Sequence, residues 1–184
     1  MASSSPALIL LTGNSEKTKP WIEEVARTLQ PLFSSTTVQY YDHWGKGPDA
    51  LIDIDVELTT LERTVAPLKH YALLGKSAGC LVILKGIREG RLRPAFCIFL
   101  GLPVTWARAN NHPIDAYLDY YKIPTLFLQK DHDPAIGADE LTLLLKEKHA
   151  QHHHLVSFPG NDHHYEDLQL LKQSLQAFME NYDS

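Results

Sequence analysis

Apolar residues along this chain fall into two rhythms. Unbroken or nearly unbroken runs, ALILL (7–11), TTVQYY (36–41), HYALLG (70–75), AFCIFLG (95–101), IPTLFLQ (123–129) and HHLVSF (153–158), are too short for helices and bounded by polar or glycine positions, as expected of strands covered on both faces. Between them, apolar residues recur every three or four positions: Trp21, Val25 and Leu29; Leu58, Leu61, Val65 and Leu68; Leu81, Leu84 and Ile87; Leu141, Leu144 and Leu145; Leu168, Leu171, Leu175 and Phe178. That spacing lays one stripe along a helix. Thr18 with Pro20 in the first turn, Asp53 or Asp55, and Gly90 as a stop supply the punctuation. Strand and helix alternate strictly, which requires crossover connections. The expected architecture is an α/β three-layer sandwich with a six-stranded, mostly parallel sheet, in one domain spanning residues 1–184 with a flexible start at 1–6.

Composition narrows the function classes. A chain of 184 residues that is 44% hydrophobic can bury one sizeable core. Its net charge of −5 and its 17 scattered Lys and Arg form no basic patch, so no nucleic-acid partner is expected. The first apolar run is too short to cross a bilayer and has no basic residue ahead of it, so no membrane association is expected. Cys80 and Cys97 both sit among apolar residues and read as core thiols, which suits a reducing, cytoplasmic location.

In such sheets, ligands bind beyond the carboxyl ends of the strands. The loop after the third run carries Gly75-Lys76-Ser77-Ala78-Gly79, a G-x-S-x-G between a predicted strand and a predicted helix. A sharp strand-to-helix turn strains the serine backbone and lifts the hydroxyl above the sheet, with flanking glycines removing Cβ atoms that would collide. The Ala78 amide, at the positive end of the helix, can then face a developing oxyanion. The alternative is structural, with Ser77 capping the helix and the glycines easing packing. Lys76 reads as a solvated or packing residue.

A serine nucleophile needs a base, and the base an orienting acid, in the order Ser, Asp or Glu, His. Gln129-Lys130-Asp131-His132-Asp133-Pro134 follows the fifth strand, and Pro159-Gly160-Asn161-Asp162-His163-His164-Tyr165 follows the sixth. With these motifs in place, the sequence from Ile9 to the last helix resembles a small α/β-hydrolase without a cap domain, similar to the dienelactone-hydrolase-like branch of compact serine esterases. The resemblance implies Ser77 as nucleophile, Asp133 as acid and His163 as base, with Asp131 and His164 as the alternatives. It also implies a second oxyanion donor at the backbone N–H of Asn14, or of Gly13. The chain departs from the family at Thr12, where a His often precedes the glycine, and at Lys130, where the acid loop usually has Gly.

Other residues could carry chemistry. Asp131-His132-Asp133, His152-His153-His154 and Asp162-His163-His164 draw on ten histidines and suit zinc or manganese in type. A strand, however, sends neighbouring side chains to opposite faces, so the His triplet does not converge. No metal and no cofactor are expected, and no phosphate-binding glycine loop occurs. Trp44, Trp106 and Tyr117, on the loops at 41–45 and 102–122, are candidates for an open substrate pocket. The expectation is a hydrolase cleaving small, varied carboxylic esters through an acyl-enzyme on Ser77. Lactones and thioesters are open to the same chemistry, and a non-catalytic binding protein on this fold is the alternative.

Overall fold

The computed structural model describes residues 5–47 and 50–182, so most of the expected flexible start, residues 1–4, lies outside the described residues. Six strands form one sheet: β1 (Ala7–Leu11), β2 (Ser35–Val38), β3 (Tyr71–Lys76), β4 (Cys97–Leu100), β5 (Thr125–Lys130) and β6 (His153–Phe158). Their spatial order is β2-β1-β3-β4-β5-β6, and all five neighbouring pairs are parallel. The helices are α1 (Lys19–Leu29), α2 (Ile54–Val65), α3 (Ala78–Arg88), α4 (Val104–Ala109), α5 (Ile114–Leu118), α6 (Ala138–Glu147) and α7 (Leu168–Tyr182).

Side-chain alternation divides the core into two slabs. On one face Leu8, Leu10, Leu74 and Leu126 meet Ile22, Val25 and Leu29 of α1 and Leu171 and Leu175 of α7. On the other, Ile9, Leu11, Leu73 and Phe127 meet Leu58 and Leu61 of α2, Leu81 and Leu84 of α3, and Leu141 and Leu145 of α6. Each fully buried leucine contributes about 1.5–3 kcal/mol relative to exposure. The three-layer expectation holds, and every expected strand and helix is present.

Local punctuation follows the chemistry of the ends. Asp53, not Asp55, caps α2: its Oδ1 accepts from the N–H groups of Asp55 and Val56 at 3.0 and 3.1 Å. Thr18 precedes α1 without a side-chain cap bond, its hydroxyl turning back to the Ser15 carbonyl. The segment at 102–122 forms the short helices α4 and α5 and buries Leu102, Val104, Ala107, Ile114 and Leu118 against the body. Among the described residues no helix is long and apolar enough to cross a membrane.

Candidate active site

The chain leaves β1 for β2 on one side and then crosses back to place β3 on the other. The direction of winding therefore reverses between β1 and β3, opening a crevice at their carboxyl ends. The loop after β1 and the turn after β3 face each other across it. Ser77 occupies that turn with φ 52° and ψ −121°, a conformation that costs a non-glycine residue about 1–3 kcal/mol. Packing enforces it. A Cβ on Gly79 would stand 2.7 Å from the Leu11 carbonyl oxygen, and one on Gly75 would stand 2.9 Å from Cys80 Cα. The Ser77 N–H donates to the Leu100 carbonyl and the Gly79 N–H to the Thr12 carbonyl, both at 3.0 Å, pinning the turn to β4 and β1. Ser77 Oγ does not cap α3 and has no hydrogen-bond partner among the described residues. The capping alternative therefore fails.

Asp133 and His163 come together. His163 Nδ1–H donates to both carboxylate oxygens of Asp133, at 2.9 and 2.8 Å. The Asp133 side chain is fully buried, whereas that of His163 is 24% exposed. Two more donors reach the same carboxylate: the Ala135 N–H and the Tyr165 hydroxyl, each at 2.8 Å. Burial pushes the Asp133 carboxyl up, but the bonds from His163, Ala135 and Tyr165 outweigh it and hold the group below its ordinary value. Asp133 is therefore a carboxylate at neutral pH. Burial and the neighbouring carboxylate raise the Tyr165 hydroxyl far above its usual range, so it stays a donor.

The loop bearing His163 is tied down from several sides. Trp21 Nε1 of α1 donates to the Tyr165 carbonyl at 2.8 Å, and the Lys130 N–H donates to the Tyr165 hydroxyl oxygen at 3.0 Å. Gly101 follows β4 with φ +58°; a Cβ there would lie 2.7 Å from His163 Cε1 and 2.8 Å from Tyr165 Cε2, so only glycine lets the imidazole settle on this strand end. Ser77 and His163 thus rest on consecutive residues, Leu100 and Gly101. The alternatives are placed elsewhere. Asp131 is exposed and accepts from the Ser157 hydroxyl. His164 is exposed, and its N–H binds Asp162, which pairs with Lys130 at 2.7 Å.

Neither the Ala78 nor the Asn14 backbone N–H is used by a hydrogen bond among the described residues. The rest of Asn14 is held firmly. Its carbonyl accepts from His43 Nε2 at 2.7 Å and Trp44 Nε1 at 3.0 Å, and its side-chain oxygen accepts from the Ile52 N–H at 2.6 Å. Tyr41 donates to the neighbouring Thr12 carbonyl at 2.5 Å. Since the His43 partner is a carbonyl, the proton sits on Nε2, leaving Nδ1 buried and without a partner. The loop after β2 is itself anchored by buried Glu57 of α2, which accepts from Gln39 Nε2 at 2.7 Å and the Asp42 N–H at 2.8 Å.

No protein-family model and no curated protein matches this sequence. Solved structures do. Est1E from Butyrivibrio proteoclasticus, solved with ferulic acid, superposes with a TM-score of 0.75 over 97% of this chain and 90% of its own, at 18% identity. A serine hydrolase involved in carbazole degradation, the CarC enzyme, gives a TM-score of 0.72 over 98% and 93%, at 14% identity. An uncharacterized protein from Bacillus cereus gives 0.74 over 97% of this chain at 17% identity, and this chain spans 62% of its length. The chain has the α/β-hydrolase fold.

Within that fold the three rings expected at the pocket take different places. Trp44 is held by its indole N–H on Asn14 and tilts against Tyr41, with ring centroids 5.2 Å apart. It supports the β1 loop and borders a cavity of about 400 Å³ with Asn14, Lys17 and His43. Trp106 stacks on His112 at 5.3 Å and packs on the core as scaffold. Tyr117 lies in the field of Lys85 and Glu89, about two turns along α3 from Ser77. Amphipathic spacing could not separate these fates, because all three rings follow strand ends.

Cys80 and Cys97 are free and buried; burial pushes the Cys97 thiol up to about 12 and raises Cys80 further, so neither supplies a thiolate near neutral pH. Among the described residues no group of three His, Cys, Asp or Glu side chains is placed to hold a metal. Sequence reasoning missed Tyr165, Tyr41 and His43, whose roles depend on partners 29 or more positions away. It also missed Gly101, which carries a signal: a glycine closing an apolar run at a predicted strand end.

Proposed function

We propose that this protein is a serine hydrolase of carboxylic esters, in the compact, cap-less branch of its fold, with Ser77 as nucleophile, His163 as base and Asp133 as acid. The observation that carries the reading is the buried Asp133 carboxylate, which grips His163 Nδ1 at 2.8 and 2.9 Å on the strand ends that also carry the strained Ser77. With Nδ1 committed as a donor, Nε2 is the free, basic nitrogen.

Ser77 Oγ attacks the acyl carbon while His163 Nε2 takes its proton. Negative charge moves onto the carbonyl oxygen, where the unused N–H groups of Ala78 and Asn14 are available to receive it. Each such donor contributes about 3–4 kcal/mol to lowering the barrier. Collapse of this intermediate breaks the ester bond as the imidazolium protonates the leaving alcohol. A water, deprotonated by the same imidazole, attacks the acyl-enzyme, and collapse breaks the acyl–Oγ bond as the imidazolium returns the proton to Ser77 Oγ, releasing the acid and free enzyme. Catalytic hydrogen bonds that are long in a free protein tighten around the reacting carbonyl, so the unbonded Ser77 hydroxyl is compatible with this role.

Fluorophosphonate labelling with peptide mapping tests the reading. The adduct is expected on Ser77 and absent in Ser77→Ala, along with hydrolysis of short p-nitrophenyl esters. Labelling elsewhere, or turnover that survives Ser77→Ala, removes the assignment.

A further inference from the structure

Three side chains with a formal charge are buried among the described residues: Glu57, Asp133 and Lys76. Glu57 accepts from Gln39 and Asp42, and Asp133 from His163, Ala135 and Tyr165. Lys76 is 8% exposed and has neither a hydrogen bond nor an ion pair, and its Nζ is not one of the fully buried unpartnered polar atoms, so the ammonium keeps some contact with solvent. A primary ammonium carries three donors. With its stem buried and its tip still reaching solvent, it is an unpaired cation in a mostly desolvated place, open to an incoming anion.

Its direction follows from the strand. Leu73 points to the α2–α3 face, Leu74 to the α1–α7 face, and Gly75 lies against Cys80 of α3, so Lys76 projects on the α1–α7 side. There it runs along the loop after β1. Lys76 Nζ and Ser77 Cβ each lie 3.6 Å from the point where a Cβ on Gly13 would stand. The cation and the nucleophile therefore converge on one residue, the neighbour of Asn14. Burial lowers the affinity of Lys76 for its proton, and the Cys80 and Asp133 fields oppose that. Asp133 acts only at a distance, its oxygens being occupied.

We propose that the site prefers acyl substrates bearing a carboxylate, and that Lys76 is the residue that recognises it. This rests on the hydrolase reading of Ser77. A carboxylate on a short acyl chain supplies the acceptor that the folded chain withholds, and a charge-assisted bond in a water-poor site discriminates strongly. A neutral acyl chain of the same length covers the ammonium without pairing it.

The experiment compares kcat/KM for a methylumbelliferyl hemiglutarate and the uncharged valerate ester in wild type, Lys76→Arg and Lys76→Met. Wild type is expected to favour the hemiester by at least about tenfold, Lys76→Arg to keep part of that ratio, and Lys76→Met to bring it to near one whatever the absolute rates. Circular dichroism shows whether Lys76→Met is folded, and fluorophosphonate labelling whether its Ser77 is still reactive. A wild type without the preference, an unchanged ratio in Lys76→Met, or loss of labelling in a folded Lys76→Met overturns the proposal, the last by making the lysine part of nucleophile activation. Absence of labelling and of turnover in wild type instead removes the hydrolase reading itself.

Discussion

The two edges of the sheet offer cavities of similar size and very different interiors. The amino edge has one of about 440 Å³ lined by Pro124, His152, His153 and His154; the carboxyl edge has one of about 400 Å³ beside Asn14. Among the described residues, buried polar side chains separate the edges. Thr125 starts β5 at the amino edge and is satisfied locally by Tyr121 and Ile123. Thr12, Lys76, Gln129 and Asp133 lie at or just beyond carboxyl ends, with Gln39, His43 and Glu57 behind them, and Thr12 Oγ1, Gln39 Oε1 and His43 Nδ1 are left unpartnered. Burying polar groups opposes folding unless they are paired. A chain that concentrates them at one edge is giving up stability there, and volume alone would not have shown which edge.

Substitutions can break or sharpen that contrast. The largest effect is expected within one loop of the carboxyl edge: Asp133→Asn should lower kcat for ester hydrolysis by about four orders of magnitude through the wrong imidazole tautomer, while Asp131→Asn stays within about twofold. Equal losses would reassign the acid. Next, His43→Ala removes a bond to the Asn14 carbonyl, and kcat should fall by roughly ten- to a hundredfold with KM little changed. A purely structural role would lower the fraction of active sites titrated by fluorophosphonate instead.

A third expectation concerns pH. The Asp133 carboxyl is held below its ordinary value in the folded state, so its contribution is complete above about pH 3.9 and is lost as pH falls through the lower folded value. Urea midpoints of wild type should therefore drop more steeply than those of Asp133→Asn below about pH 4; parallel curves would show that the pairing does not stabilise the fold. The smallest effect is expected at the amino edge. His153→Ala and His154→Ala should leave kcat/KM within about twofold, and a larger loss would place function at both ends of the sheet.

Much of the fold was legible because each element announces itself locally. Five consecutive apolar residues from Ala7 to Leu11 make a strand covered on both faces, and Gly79 permits one sharp turn whichever partner it meets. Gly75 to Gly79 pointed to the strained serine for the same reason. Pairing was not legible at this scale. Asp131 and Asp133 are both acidic residues of one loop, and only Asp133 turns inward to His163, 30 positions on. Trp44, Trp106 and Tyr117 are equally aromatic, yet one braces Asn14, one stacks on His112 and one lies in the field of Lys85.

By itself, then, the sequence determined the alternation of strands and helices, the strand-end loops and the residue types available in them, since hydrophobic period and backbone strain act over a few residues. Only the tertiary structure decided which acid meets which imidazole, that Tyr41 and His43 hold the loop of Asn14, and that Lys76 is left without a partner. Those outcomes depend on distances between segments far apart in the chain, which are set when the sheet order and the packing of both faces are settled together.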